Sequence, residues 1–260
     1  MRINHFLEGN NPPSLYICSP SYSGEFNCHF VVSLLQTIKA LEKEKFFYQV
    51  EFEVFNSLAA GARNILADNF LKSQCSHMLM IDADQGWTPE AVPKMLKLDK
   101  DVLTGAVISR KPNEEIYALK IHTNTDRTPL VNNEGLIDCA SNGVAFAMIK
   151  REVFEKIKET KEYKNNVYPF FQHVYYQSGG ELGEDTYFIN EWNKLGKTWI
   201  YPDITFIHGT NEGNYHEYLL KQPQPGIELP EFKQPQPGIE LPELEKAINS
   251  LNYNLKKMVM

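Results

Sequence analysis

The feature that most narrows the folds open to this chain is an alternation that fills its first hundred residues. "SLYICSP" is a short apolar run, and "NCHFVVSLLQTIKALEKEK" follows with Phe30, Val31, Leu34, Leu35, Ile38 and Leu41 at helical spacing. "QVEFEVF" alternates with period two, and "SLAAGARNILADNFLKSQ" returns to helical spacing with Ile65, Leu66 and Phe70 on one side. "HMLMID", "TPEAVPKMLKL" and "DVLTGAVIS" then read as strand, short helix and strand. Apolar runs of this length predict strands, and a 3.6-residue period predicts helices. Strand and helix in strict turn predict an α/β protein whose layered sheet has mostly parallel strands.

Such sheets bind ligands outside the carboxyl ends of their strands. In "MLMIDADQGW" the apolar run 78–81 leads into Asp82 and Asp84 with only Ala83 between them. Two carboxylates at the end of a buried strand repel each other unless a cation lies between them. A hard divalent cation such as Mn²⁺ or Mg²⁺ fits, because it takes carboxylate, phosphate and water oxygens together. Alone, an Asp-x-Asp is also an ordinary turn and helix start.

The second half is less regular. "GLIDCASNGVAFAMIKREVFEKI" predicts a strand interrupted at Asn142-Gly143 and then a strand-to-helix passage. "GEDTYFINEWNKLGK" predicts a helix with acids in its first turn, and "TWIYPDITFIHG" a closing strand. "KQPQPGIELPE" then occurs twice verbatim, at 221–231 and 233–243. Its proline spacing predicts an extended strap, and two copies are too few for a solenoid. Leu244, Ile248, Leu251 and Leu255 have helical spacing. The expected organisation is a catalytic domain over 1–215, a proline-rich linker over 216–244 and a terminal helix over 245–260.

Composition excludes several classes. With 26 basic and 33 acidic residues among 260, the net charge of −7 is the wrong sign for a nucleic-acid binder. No segment approaches the roughly 18–20 apolar residues of a membrane span. "MRINHFLEGNNPPS" lacks the apolar core of a secretory signal. Cys18, Cys28, Cys75 and Cys139 form no close pair, which predicts reduced core thiols in a cytoplasmic protein.

The stretch "GARNILADNFLKSQCSHMLMIDADQGWTPEAVPKML" resembles the donor half of the GT-A glycosyltransferases, particularly the family 2 group. "NGVAFAMIKREVFEKI" is similar to that group's glycine-bearing strand and helix start. "GEDTYFINEWNKLGKTWIYPDITFIHG" is similar to its Glu-Asp helix and the strand ending in His. The likeness spans roughly residues 15–209, in the family's order; the repeats and terminal helix lie outside it. It implies a GT-A fold, a Rossmann-like nucleotide-diphospho-sugar transferase with a mixed, mostly parallel sheet flanked by helices. It further implies a metal-dependent and inverting glycosyltransferase. That enzyme would use Mn²⁺ or Mg²⁺, a nucleoside-diphosphate sugar donor, and a glycan, glycoprotein or other hydroxyl acceptor.

On this resemblance Asp84 and His208 would hold the metal, with Asp82 assisting it or contacting the ribose. Ser19 and Tyr22 would cup the nucleobase, although Ser23 stands where many members carry Asn. Arg63 and Ala83 would lie on the donor side, Arg63 near the diphosphate. Asn142, Gly143 and Glu184 would face the acceptor, and Asp185 would be the catalytic base. A general base takes the acceptor proton as the new bond forms, and a neighbouring Glu184 would raise its basicity.

Two other readings share these residues. A sugar-nucleotide-binding module would keep the acids without turnover. A haloacid-dehalogenase-type phosphohydrolase also places Asp-x-Asp after an apolar strand, but it normally has Thr or Val where Gly86 stands. No downstream lysine motif supports it. Loops 111–135 and 160–180, where acceptor choice would reside, carry no readable code.

Overall fold

The computed structural model describes residues 2–5, 13–112, 114–160, 163 and 167–222. The duplicated strap from 223 onward and the expected terminal helix lie outside the described residues. The fold begins with β1 (Arg2–His5), a strand that the sequence did not predict, and β2 (Ser14–Ser21). Helix α1 (Cys28–Lys43), β3 (Phe47–Val54), α2 (Ala59–Lys72) and β4 (His77–Ile81) follow as the alternation predicted. Then come β5 (Gln85–Trp87), α3 (Ala91–Leu98), β6 (Val102–Gly105), β7 (Lys120–Ile121), β8 (Ile137–Ser141), β9 (Phe146–Lys150) and α4 (Arg151–Glu159). A hairpin of β10 (Val174–Tyr176) and β11 (Gly180–Leu182) precedes α5 (Glu184–Asn193). β12 (Thr198–Tyr201), β13 (Thr205–His208), β14 (Asn211–Asn214) and α6 (Tyr215–Lys221) complete the described chain. Helix α6 crosses residue 215, where the sequence placed the end of the catalytic domain.

Nine strands form one sheet in the order β1-β3-β2-β4-β9-β6-β12-β8-β7. β3, β2 and β4 run parallel, as do β6 and β12, while β9 is wedged antiparallel between β4 and β6. The architecture is thus mixed α/β, with most strands pointing one way and helices on both faces.

The sheet is covered on both sides, which explains the unbroken apolar runs of its central strands. Leu79 and Ile81 of β4 face a core built with α1 and α3, through Phe30, Leu34, Val92 and Met95. Met78 and Met80 face a second core built with α2, α4 and α5, through Leu66, Phe70, Phe154, Phe188 and Trp192. Every residue of β4 is buried, so the strand delivers Asp82 at the end of a rigid element.

Three expectations are corrected. "TWIYPDITFIHG" is two strands in two sheets. β12 pairs with β6 and β8, the chain breaks at Pro202, and β13 joins a separate sheet in the order β14-β13-β5. Proline lacks the N–H that a continuing ladder needs. Cys28, expected in the core, is exposed at the start of α1, whereas Cys18, Cys75 and Cys139 are buried; all four thiols are free. Val31 and Leu35 of α1 are each about two-fifths exposed, so the apolar face of that helix is wider than the face it buries.

Candidate active site

Asp82 and Asp84 stand on the turn between β4 and β5, at the carboxyl edge of the main sheet. Asn27 ties this turn to the loop after β2. Its N–H donates to the Ala83 carbonyl (2.9 Å), while its side chain caps α1 by accepting from the His29 N–H (3.0 Å). A cleft of about 670 Å³ opens between these segments. Its lining includes Pro20, Tyr22, Arg63, Asp82, Asp84 and Arg110. That volume is within the range of small-molecule sites. Tyr22 presents an exposed ring to it. Beside it, Phe55 has a left-handed backbone (φ 61°) and packs on Gly24, where a Cβ would come within 2.7 Å of the ring. Strained backbone of this kind concentrates at functional sites.

Arg63 is buried beneath the cleft, and its guanidinium bridges two acids. Nη2 donates to Asp82 Oδ1 (2.6 Å), and Nη1 donates to Glu184 Oε1. Burial works against its charge, but Asp82, Glu184 and Asp185 outweigh burial and raise its pKa further. The cation that reconciles Asp82 with its surroundings is therefore, in this structure, a side chain. Glu184, expected beside Asp185 as a like charge, is ion-paired with Arg63. Arg63 is the buried member of this cluster, so losing its partners would leave a buried charge unpaired, which is destabilising.

Asp185 sits in the first turn of α5. Its Oδ1 accepts from the Thr186 N–H (2.6 Å), which holds one oxygen in place. The other oxygen, Oδ2, lies over Gly143: a Cβ there would come within 2.5 Å of it. Asn142, expected to face the acceptor, is instead buried and structural. Its Nδ2 donates to Thr104 Oγ1 (2.9 Å) and the Gly105 carbonyl (3.0 Å), and its Oδ1 accepts from the Gly143 N–H (2.9 Å). Asn142 fixes the backbone, and Gly143 leaves room for a carboxylate. Gly143→Ala should therefore push Asp185 out of position with little loss of stability, since the clash falls on the end of one side chain. A misplacement of about 1 Å costs on the order of 10² in rate. The expected result is a fall of that order in turnover, with a melting temperature close to wild type; steady-state kinetics and a thermal melt check both.

Asp84 is met from the small sheet. His208 at the end of β13 places Nε2 3.4 Å from Asp84 Oδ2, and His208 Nδ1 donates to the Ile108 carbonyl (2.8 Å). Arg110, in the loop after β6, covers both atoms. Its Nε donates to His208 Nε2 (2.7 Å) and its Nη2 to Asp84 Oδ2 (2.9 Å). His208, joined by Arg110, holds the Asp84 carboxyl below its ordinary range against the effect of burial. Burial draws the His208 pKa down, and Asp84 with the Ile108 carbonyl more than reverses it.

The expected metal set is thus brought together in part. Asp84 and His208 converge, and in the neutral ring the Nδ1–H bond leaves Nε2 as the lone-pair nitrogen, the arrangement a metal-ligating His requires. Asp82 turns toward Arg63 instead. Among the described residues no three His, Cys, Asp or Glu side chains are grouped to hold a metal ion. Two protein donors suffice for a hard cation whose other ligands are phosphate and water. Ser19, expected at the nucleobase, is fully buried and absent from the cleft lining. Sequence reasoning missed Arg110, Asn27 and His173, whose Nδ1 lies 3.9 Å from Glu184 Oε2. Arg110 did carry a signal: it follows a strand at its carboxyl end.

No protein-family model matches the chain. In sequence it is 29% identical over 114 residues to one component of the aspartyl/glutamyl-tRNA(Asn/Gln) amidotransferase of Lactobacillus helveticus (strain DPC 4571). It is 28% identical over 113 residues to the corresponding component from Lactobacillus acidophilus (strain ATCC 700396 / NCK56 / N2 / NCFM). Each match covers 42% of this chain, and the chain spans only 23% of these curated relatives. Among solved structures it is similar to S. aureus TarS 1-349 in complex with UDP-GlcNAc (TM-score 0.44, 12% identity, 78% of this chain and 60% of that one). It is also similar to a glycosyltransferase involved in glycosylation of the major capsid of PBCV-1 (TM-score 0.29, 9% identity, 55% and 63%). A third is HddC from Yersinia pseudotuberculosis complexed with GMP-PN (TM-score 0.37, 11% identity, 78% and 97%). Likenesses of this size leave the fold resting on the chain's own sheet order. Among the described residues no helix is long and apolar enough to cross a membrane.

Proposed function

We propose that this chain is a nucleotide-sugar-dependent transferase. More particularly, we read it as a metal-dependent, inverting glycosyltransferase that moves a sugar from a nucleoside-diphosphate donor to an acceptor hydroxyl. The observation that carries the reading is a chain of ion pairs that joins two acid sites. Asp84, in the cleft lining and beside His208, is two residues from Asp82, and the Asp82–Arg63–Glu184 chain of ion pairs runs from there to the neighbour of Asp185.

The roles follow from the contacts. Asp84 and His208 would hold Mn²⁺ or Mg²⁺, which when bound supplies Lewis-acid stabilisation to the leaving diphosphate. Tyr22 offers a face to a nucleobase. Arg63 pairs with both Asp82 and Glu184 and so ties the donor side to the acceptor side. Asp185, with Oδ1 held by Thr186, offers Oδ2 to the acceptor proton as the anomeric carbon gains oxocarbenium character. Attack from the side opposite the leaving group inverts the anomeric centre.

The test is a panel of nucleotide sugars scored by thermal shift with and without Mn²⁺. A ligand at about 100 times its Kd stabilises the folded state by about 2.7 kcal/mol. One nucleotide class should raise the melting temperature only when Mn²⁺ is present, and sugar should then pass to a hydroxyl acceptor. Stabilisation without turnover in any acceptor mixture would leave a binding module; release of inorganic phosphate from a phosphomonoester would favour a phosphohydrolase.

A further inference from the structure

Arg110 occupies the place where the metal would be held. One edge of its guanidinium, Nε and Nη2, donates to His208 Nε2 (2.7 Å) and Asp84 Oδ2 (2.9 Å), and these two acceptors are themselves 3.4 Å apart. A divalent ion with ligands at about 2.0–2.2 Å places adjacent donor atoms about 3 Å apart, so an ion held by both residues needs the one lone pair of His208 Nε2 that Arg110 uses. The guanidinium edge and the ion cannot share that nitrogen.

The backbone around Arg110 is held in place, while beyond the two bonds at its guanidinium edge its side chain is mostly exposed. Ser109 N–H donates to the Ile116 carbonyl (2.7 Å), Ile108 bridges Tyr117, and Asn211 Nδ2 donates to the Ser109 carbonyl (2.8 Å) and to the Lys111 carbonyl. Yet 68% of the Arg110 side chain is exposed. It also lines the cleft in which a diphosphate would lie. A planar fork that leaves a carboxylate can take up phosphate oxygens in the same bidentate manner.

We propose that Arg110 is an internal stand-in for the metal. In the free protein it neutralises Asp84 and blocks His208 Nε2; when metal and diphosphate enter together, it swings off Asp84 and onto the diphosphate. Metal alone is then repelled by a resident cation, whereas metal with the doubly charged diphosphate of a nucleotide sugar adds no net charge to the site, and metal with pyrophosphate adds a negative one. The protein thus loads both components in one event. This inference rests on the metal-dependent reading given above.

The test measures Mn²⁺ binding to the full chain from the electron paramagnetic resonance signal of free Mn²⁺. The wild type is compared with R110M, R110Q and, as a control, Asp84→Asn. Removing a unit charge about 5 Å from a divalent ion should tighten binding of Mn²⁺ alone by about tenfold, even with the aqueous dielectric. For the preformed Mn²⁺–pyrophosphate complex the order should reverse, because R110M and R110Q have lost the diphosphate contact. The exposed position makes the melting temperature of both variants a direct check on folding. If both Arg110 variants bind Mn²⁺ no more tightly than wild type while Asp84→Asn abolishes binding, the exchange is overturned and the metal site stands. If no form binds Mn²⁺, the exchange and the metal-dependent reading fall together.

Discussion

Asp185→Asn should lose turnover by roughly 10²–10⁴, the value of a positioned general base. Donor affinity should be nearly unchanged, because Asp185 lies beyond the Arg63–Glu184 pair and not at the proposed metal position. The amide keeps the shape of the carboxylate, and its oxygen can still accept from Thr186 N–H. Loss of fold is therefore not expected. Glu184→Gln supplies the contrast. It weakens the bond to Arg63 and should cost stability along with a smaller part of the rate. Single-turnover kinetics with the donor identified by thermal shift separates the two. A fully active Asp185→Asn beside a dead Glu184→Gln would give the base to Glu184, and retained anomeric configuration in the product would sink single displacement with either acid.

Asp84→Ala should have the opposite profile. It deletes one of two protein donors at the proposed metal position, so metal-dependent donor binding should fall by more than the about 10–100-fold that loss of an outer-shell partner costs. The side chain is at the surface of the cleft, about one-third exposed, so the fold should survive. Titration calorimetry of the donor with and without Mn²⁺ reads the effect. An unchanged Mn²⁺-dependent affinity would remove Asp84 from the metal. In the variant the residual donor affinity should no longer depend on which divalent ion is added.

The outline of the fold was legible because its central strands are buried on both faces. After its first residue a strand such as "HMLMI" has no choice but to be apolar, and the helices beside it must show a single apolar face. The small sheet was illegible for the converse reason. "QGW" and "NEGN" carry no period, and they are strands only because β13 pairs with them. The acids of the site were legible as types at a strand end. Their partners were not, because Arg63 reaches residues 19 and 121 positions away, and Arg110 meets a histidine 98 positions away. Nothing local in a sequence encodes such meetings. Gly143 illustrates the limit well. Glycine there reads as a flexible bulge, whereas its place is set by the volume of a carboxylate more than forty residues later.

The three-stranded sheet makes the spacing of the candidate metal donors a matter of ladder arithmetic. β13 lies against β5 with Phe206 opposite Trp87 and His208 opposite Gln85, and Asp84 is the next residue along. The separation of the two donors is thus inherited from backbone pairing and not from a loop that could drift. An insertion near Pro202, between the two sheets, falls where the chain is already broken and can be absorbed there. A single residue inserted after Thr205 would instead turn every later side chain of β13 to the opposite face. Phe206 would leave the core, and His208 would point away from Asp84. Fold and site share one ruler, and four residues of strand are its whole length.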